Sequence, residues 1–311
     1  MNRRAALLPL ALLAALVVAV GANDGLRTLL ATALVQVRPV AVLATLPGQL
    51  VATLLCAAAL FVLRPGPSFA ACLGSRLLRD GGGNLLVIAP GLGEAIGARA
   101  LVLSGGRTRS ALSASALDTL AEALAQLPFI ALAFWVLPRF WDKAQLPALP
   151  VGHATLATVV GGLALLAVAG TAWWWRSGHR SAWWARAEWV HLRAELDRQR
   201  AGLPACVALH FAAWFAGGVQ LWMAAHAMDL PLTLFAAMAI DSVAYAARGI
   251  LFFVPAGLVL QEAGLVGAGL AFGVPAGEAL ALALVLRLRD VVFGAALALW
   301  PLLEWRRTRT G

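Results

Sequence analysis

Among the ionisable residues in stretches otherwise suited to lipid are Glu94, Arg99, Asp118, Glu122, Glu262, Arg287 and Asp290. A charged side chain at mid-bilayer costs roughly 2.5–3.5 kcal/mol on insertion scales, so such residues mark polar pathways by default. Glu94 and Arg99 lie five apart, which separates them by about 140° around a helix and keeps them off one face. Beside a backbone break both can line one cavity and hold a polar head group, with Arg99 as the anion anchor. In the structural alternative, Arg99 reaches the interface and Glu94 pairs with another span. Asp118 and Glu122, four apart, stack on one helical face. There they either take up a proton or pair with arginines such as Arg99 or Arg287. Arg287 and Asp290, three apart, can pair along their own helix, and Glu262, beside Gln261, repeats the setting of Glu94.

The segments that carry these residues are interrupted. Residues 84–104, NLLVIAPGLGEAIGARALVLS, set Pro90, Gly91 and Gly93 between apolar flanks. Residues 249–273 do the same with Pro255, Gly257 and Gly264. In lipid a break leaves backbone amides unpaired, so broken helices persist only against protein or a water-filled cavity. Two such segments in corresponding halves of a membrane protein point to a transport site.

Composition gives the surroundings. Of 311 residues 61% are hydrophobic and only 13% charged, with a mean hydropathy of +0.83. A soluble domain would hold about 45–50% apolar and about 25% charged residues. The chain reads as one integral membrane domain, 1–311, with no room for a second soluble catalytic domain. The formal charge of +9 resides in loops and termini, as expected of cytoplasmic loops beside anionic lipid. The stretch 176–203 interleaves arginines with Trp183, Trp184 and Trp189, an interfacial belt rather than a nucleic-acid platform. Cys56, Cys72 and Cys206 have no paired spacing and read as small core residues. The five histidines show no ligand spacing, so neither a metal nor a cofactor is expected. Gly91-x-Gly93-x-x-x-Gly97 imitates a dinucleotide fingerprint but lacks the strand and the βαβ unit that motif needs. Ser113 and Ser115 have no base near them in sequence.

Runs of about 20 apolar residues mark the spans. They fall at about 5–21, which reads as a retained span rather than a cleaved signal, then at 40–63, 110–137, 151–175, 205–228 and 277–303. Residues 66–80 and 230–247 are too short to cross and read as helices at the interface, with Arg76 and Arg79 toward head groups. Positive charge then decides the topology. If 84–104 crossed fully, the basic 176–203 loop would fall outside. If it enters and leaves on the cytoplasmic side, Arg64, Arg76, Arg79, Arg107 and Arg109, the 176–203 loop and both termini lie inside. The second half (about 150–305) repeats the order of the first (about 1–138) in opposite orientation. The expected fold is therefore all-α: an inverted repeat of about three transmembrane helices plus one re-entrant hairpin per half. Residues 230–272 could instead cross twice without changing the parity.

On these motifs the chain resembles a known superfamily. The run P-G-x-G-E-x-x-x-x-R from Pro90, followed by Asp118 and Glu122, is similar to the flippase-like transmembrane region of lysylphosphatidylglycerol synthases. Gln261-Glu262-x-Gly264 and Arg287-x-Arg289-Asp290 resemble its second hallmark, although Val259 stands where a glycine is expected. Within the superfamily the likeness is greatest to hopanoid-biosynthesis-associated membrane proteins of the HpnL type. The resemblance implies a non-enzymatic protein of the bacterial inner membrane that translocates or handles a lipid, hopanoid-related or anionic. It implies the lipid as cargo and the bilayer, homo-oligomers or hopanoid-biosynthesis proteins as partners. Two other classes remain open: a membrane-embedded enzyme of lipid or isoprenoid metabolism, and a non-transporting scaffold.

Overall fold

A computed structural model of the chain describes residues 23–85, 91–141, 187–250, 257–301 and 304. The expected spans at 5–21 and 151–175, Pro90, Pro255 and the basic tail lie outside these residues. The described part is helical. Its α-helices are α1 (Asp24–Gln36), α2 (Pro39–Val62), α3 (Phe69–Leu85), α4 (Leu92–Leu103), α5 (Thr108–Trp141), α6 (Ala187–Gln199), α7 (Leu203–Ala227), α8 (Leu234–Ile250), α9 (Gly257–Ala271) and α10 (Ala276–Gly294). One 3-10 turn joins α6 to α7 and another follows α10.

Among the described residues, three stretches are long and apolar enough to cross a membrane: Pro39–Val62, Thr108–Ala133 and Arg193–Ala227. Their outward faces carry Leu43, Leu50 and Leu54 on α2, Leu120, Leu124 and Leu127 on α5, and Phe211 and Phe215 on α7. Water would not tolerate apolar faces of that extent, whereas lipid requires them.

The centre of the bundle is α2 against α7. Contacts at Gly48–Gln220, Cys56–His210 and Val62–Gly202 show that they run antiparallel along their length. Around this axis each packed pair in one half has a counterpart in the other. The pairs α2–α3 and α7–α8 correspond, as do α3–α4 and α8–α9, α4–α5 and α9–α10, and α3–α10 and α8–α5. One cluster of buried apolar residues joins α1, α7, α8, α9 and α10. Another joins α2, α3, α5 and α7.

Helix α1 was not among the expected elements. It starts after Asn23 with Asp24 in its first turn, where an anion suits the helix dipole. Ala33 is buried, and Thr32 and Gln36 lie against Gly277 of α10. The interfacial helix expected over 66–80 is also longer than expected: α3 continues to Leu85.

A buried ionic centre as the candidate functional site

Ser68 immediately precedes helix α3, and its hydroxyl accepts the Ala71 N–H at 3.4 Å. The helix descends into the bundle packed tightly against α4. Gly91 opens α4 in the left-handed conformation, φ +75°, where a side chain would be strained. A methyl group at Gly93 would fall 2.5 Å from the Arg79 carbonyl oxygen, so only glycine permits this approach. The Ser75 hydroxyl donates to the Gly97 carbonyl at 2.8 Å and ties the two helices together. This contact turns the arginines of α3 inward.

Arg76 is the pivot, with only 9% of its side chain exposed. Its Nη2 and Nη1 donate to the two carboxylate oxygens of Glu122 at 2.8 and 3.2 Å, and Nε donates to Asp80 at 2.9 Å. Arg79 bridges three acids. Its Nη1 donates to Asp118 at 2.9 Å and its Nη2 to Glu122 at 2.7 Å, while Glu94 lies at the 3.5 Å limit. Bidentate guanidinium–carboxylate pairs of this kind are the strong, directional ones. Two guanidinium groups thus face four carboxylates: Asp80, Glu94, Asp118 and Glu122.

Asp118 is 2% exposed and His210 of α7 is 1% exposed; His210 Nε2 lies 2.8 Å from Asp118 Oδ1. With that nitrogen donating, Nδ1 accepts, and the Cys56 thiol of α2 stands 3.6 Å from it. The Cys206 thiol approaches Asp118 at 3.8 Å. Cysteine, histidine and aspartate from three helices therefore form one buried chain. The ligand atoms of Asp118, Cys206 and His210 lie within 4.8 Å of one another, a donor set suited to a zinc-like ion. Against a cation at that place stand Arg79 on Asp118 and Arg76 at 3.9 Å. The sequence reading expected no metal, and it placed no histidine near the carboxylates.

A second ionic cluster occupies the other half. Arg287 of α10 pairs with Glu262 of α9, and donates to Gln261 at 3.1 Å and Asp290 at 3.4 Å. Arg289 donates to Asp290 at 2.8 Å and to Gln220 of α7 at 2.6 Å. Arg248 of α8 donates to Gln261 at 3.3 Å and, across the halves, to Asn84 of α3 at 3.2 Å. The ends of α3 and α8 are thereby joined. Asp241 of α8 is buried beside Gly217 and makes no hydrogen bond or ion pair among the described residues.

The expected site residues thus divide into two groups and one outlier. Glu94, Asp118 and Glu122 meet in the first cluster, and Glu262, Arg287 and Asp290 in the second. Arg99 belongs to neither. Helix α4 is continuous through positions 94 and 99, so the two side chains diverge. Arg99 lies on the surface, donating through Nε and Nη2 to Glu304 at 2.9 Å each. Arg76 and Arg79, expected at head groups, are instead the cations that hold Asp118 and Glu122. Gly264 of α9 packs on Ala244 and Ala247 of α8, much as Gly93 packs on α3.

A helical bundle with apolar outer faces, helices long enough to cross a bilayer and ion pairs shielded at its centre is an integral membrane protein. The chain belongs to the family described as the lysylphosphatidylglycerol synthase TM region, whose model matches residues 6–298. No curated protein and no solved structure matches it.

Proposed function

We propose that the chain is a flippase-like protein that moves or handles a membrane lipid, with the polar head group passing the two ionic clusters while the acyl tails stay in the bilayer. The observation that carries this reading is the pair of shielded clusters, one at each helical hairpin, joined through Asn84 and Arg248. Charges that costly inside a lipid-facing bundle are kept where they serve a pathway. The family supports a role with lipids, and the hopanoid association rests on the HpnL-type resemblance alone. The α3–α4 and α8–α9 hairpins are read as re-entrant, and the two halves as an inverted repeat. The antiparallel course of α2 and α7 and the matched packing of their neighbours support this. In this reading the protein is not an enzyme, sits in the bacterial inner membrane with both termini cytoplasmic, and alternates access by rocking one half against the other.

One observation favours a membrane-embedded enzyme as the second reading. Cys56, His210 and Asp118 stand in the order of nucleophile, base and orienting acid. All three are buried among the described residues, which ranks this reading below the first.

Scrambling of fluorescent lipid analogues in proteoliposomes separates the two. The proposal expects scrambling faster than in empty vesicles, lost in both Glu94→Gln and Glu262→Gln although each still folds. Lipid turnover without scrambling, abolished by Cys56→Ser, would favour the enzyme.

A further inference from the structure

At the end of the bundle where α2 stops, a cavity of about 620 Å³ opens between that terminus and the turn joining α6 to α7. Its walls include Phe61, Arg64, Pro67, Arg198 and Gly202. The volume lies within the roughly 300–1,000 Å³ typical of small-ligand sites. Gly202 seats the turn directly on the Val62 carbonyl, which fixes the floor.

Two arginines give the cavity its charge. Arg64 is exposed, and its side chain makes no hydrogen bond or ion pair among the described residues. Its backbone is left-handed, φ +55°, at the end of α2, where its N–H bonds the Phe61 carbonyl. Glycine is the ordinary residue for such a helix end. Pro65 follows, and proline further restricts the residue before it. An arginine held in that conformation, with its guanidinium at a cavity wall and without a partner among the described residues, is strain of the kind that gathers at binding sites. Arg198 reaches the same cavity while bonded to Ser110 Oγ at 3.2 Å and to Glu195. The Gly105–Gly106 turn rests on Pro67 and brings Arg107 and Arg109 to this end as well.

The rim is apolar. Phe61 and Phe69 meet edge to face at 5.9 Å, and both are partly exposed beside the outward Leu50–Leu54 face of α2. A ligand here would meet cations inside and lipid-facing carbon outside.

We propose that this cavity binds the phosphate of an anionic glycerophospholipid, with Arg64 and Arg198 on the phosphate and the first acyl carbons along Phe61 and Phe69. The site is separate from both ionic clusters. It rests on the chain's working among lipids but not on translocation: a chain that scrambles nothing would still bind here, and scrambling that survives loss of Arg64 would leave the proposed function standing.

The test is binding of dioctanoyl phosphatidic acid, dioctanoylglycerol and inorganic phosphate to the purified full chain in detergent, for wild type, Arg64→Gly and Arg198→Gln. Arg64→Gly relieves the backbone strain, so its melting temperature should hold or rise, and lost binding cannot then be attributed to misfolding. The expected result is phosphatidic acid binding weakened about tenfold in each variant, the scale of one lost charge-assisted hydrogen bond. Dioctanoylglycerol should not compete. Equal binding of phosphatidic acid by wild type and Arg64→Gly, or equal binding of phosphatidic acid and dioctanoylglycerol, would overturn the site. Inorganic phosphate that binds with the same dependence on Arg64 and excludes the lipid would overturn the lipid assignment in favour of the free anion.

Discussion

The two hairpins share one framework and opposite chemistry. In the first, both cations stand on α3, and two arginines face four carboxylates: Asp80 on α3 itself, Glu94 on α4, and Asp118 and Glu122 on α5. In the second, the cations stand on α8 and α10, three arginines share Glu262 and Asp290, and the amides of Gln220, Gln261 and Asn84 take up remaining donors. The first has the drier centre, with Asp118 2% exposed against 11% for Asp290, while at its edge Glu94 is 33% exposed against 23% for Glu262. A buried charge that loses its partner keeps its desolvation penalty, whereas one beside amides and some water can be re-solvated. Loss of a partner should therefore cost most around Asp118, at the centre of the first cluster.

Removing one cation from each should expose that difference most sharply. Arg79→Met takes from Asp118 its closest guanidinium and from Glu122 one of two, leaving Arg76 at 3.9 Å as the cation nearest Asp118, and should destabilise the folded chain by about 3–5 kcal/mol. Arg287→Met should cost less, roughly 1–3 kcal/mol, because Glu262 is partly exposed and Arg289 still holds Asp290. Thermal unfolding of both variants in detergent measures the gap, and equal losses would break the comparison.

A second contrast concerns the packing that holds each hairpin. Gly93→Ala forces a methyl group against the backbone of α3, whereas Gly264→Ala meets the Ala247 methyl at 2.9 Å. Overpacking of this kind costs about 1–3 kcal/mol. The first substitution should fall at the upper end, because a carbonyl cannot move without the helix. Replacing His210 by alanine removes one hydrogen bond from Asp118 and should cost roughly 1–3 kcal/mol. The smallest effect belongs to Arg99→Ala. Arg99 pairs with Glu304 at the surface, so melting temperature and scrambling should both stay at the wild-type level.

Much of this centre was legible in the sequence. Glu94, Asp118 and Glu122 stand out because lipid-compatible segments rarely carry acids, and the spacing of four put the latter two on one face. Their partners were not legible. A helix of 17 residues with Arg76 and Arg79 has the composition of an interfacial helix, and only the close approach of Gly93 and Gly97 to α3 shows that those arginines turn inward. His210 was missed for a different reason. It lies 92 residues from Asp118 and 154 from Cys56, and no local spacing records such a contact. Helix α1 escaped notice because its 13 residues are too few to span and include Asp24 and Arg27.

The central claim is that the two halves face opposite ways around the α2–α7 axis. Labelling with a thiol reagent confined to the periplasmic side tests it directly, since the three native cysteines are buried. Arg107→Cys and Arg193→Cys should be shielded, and Asp229→Cys and Pro275→Cys labelled. Labelling of Arg107→Cys and Pro275→Cys from the same side would contradict the account.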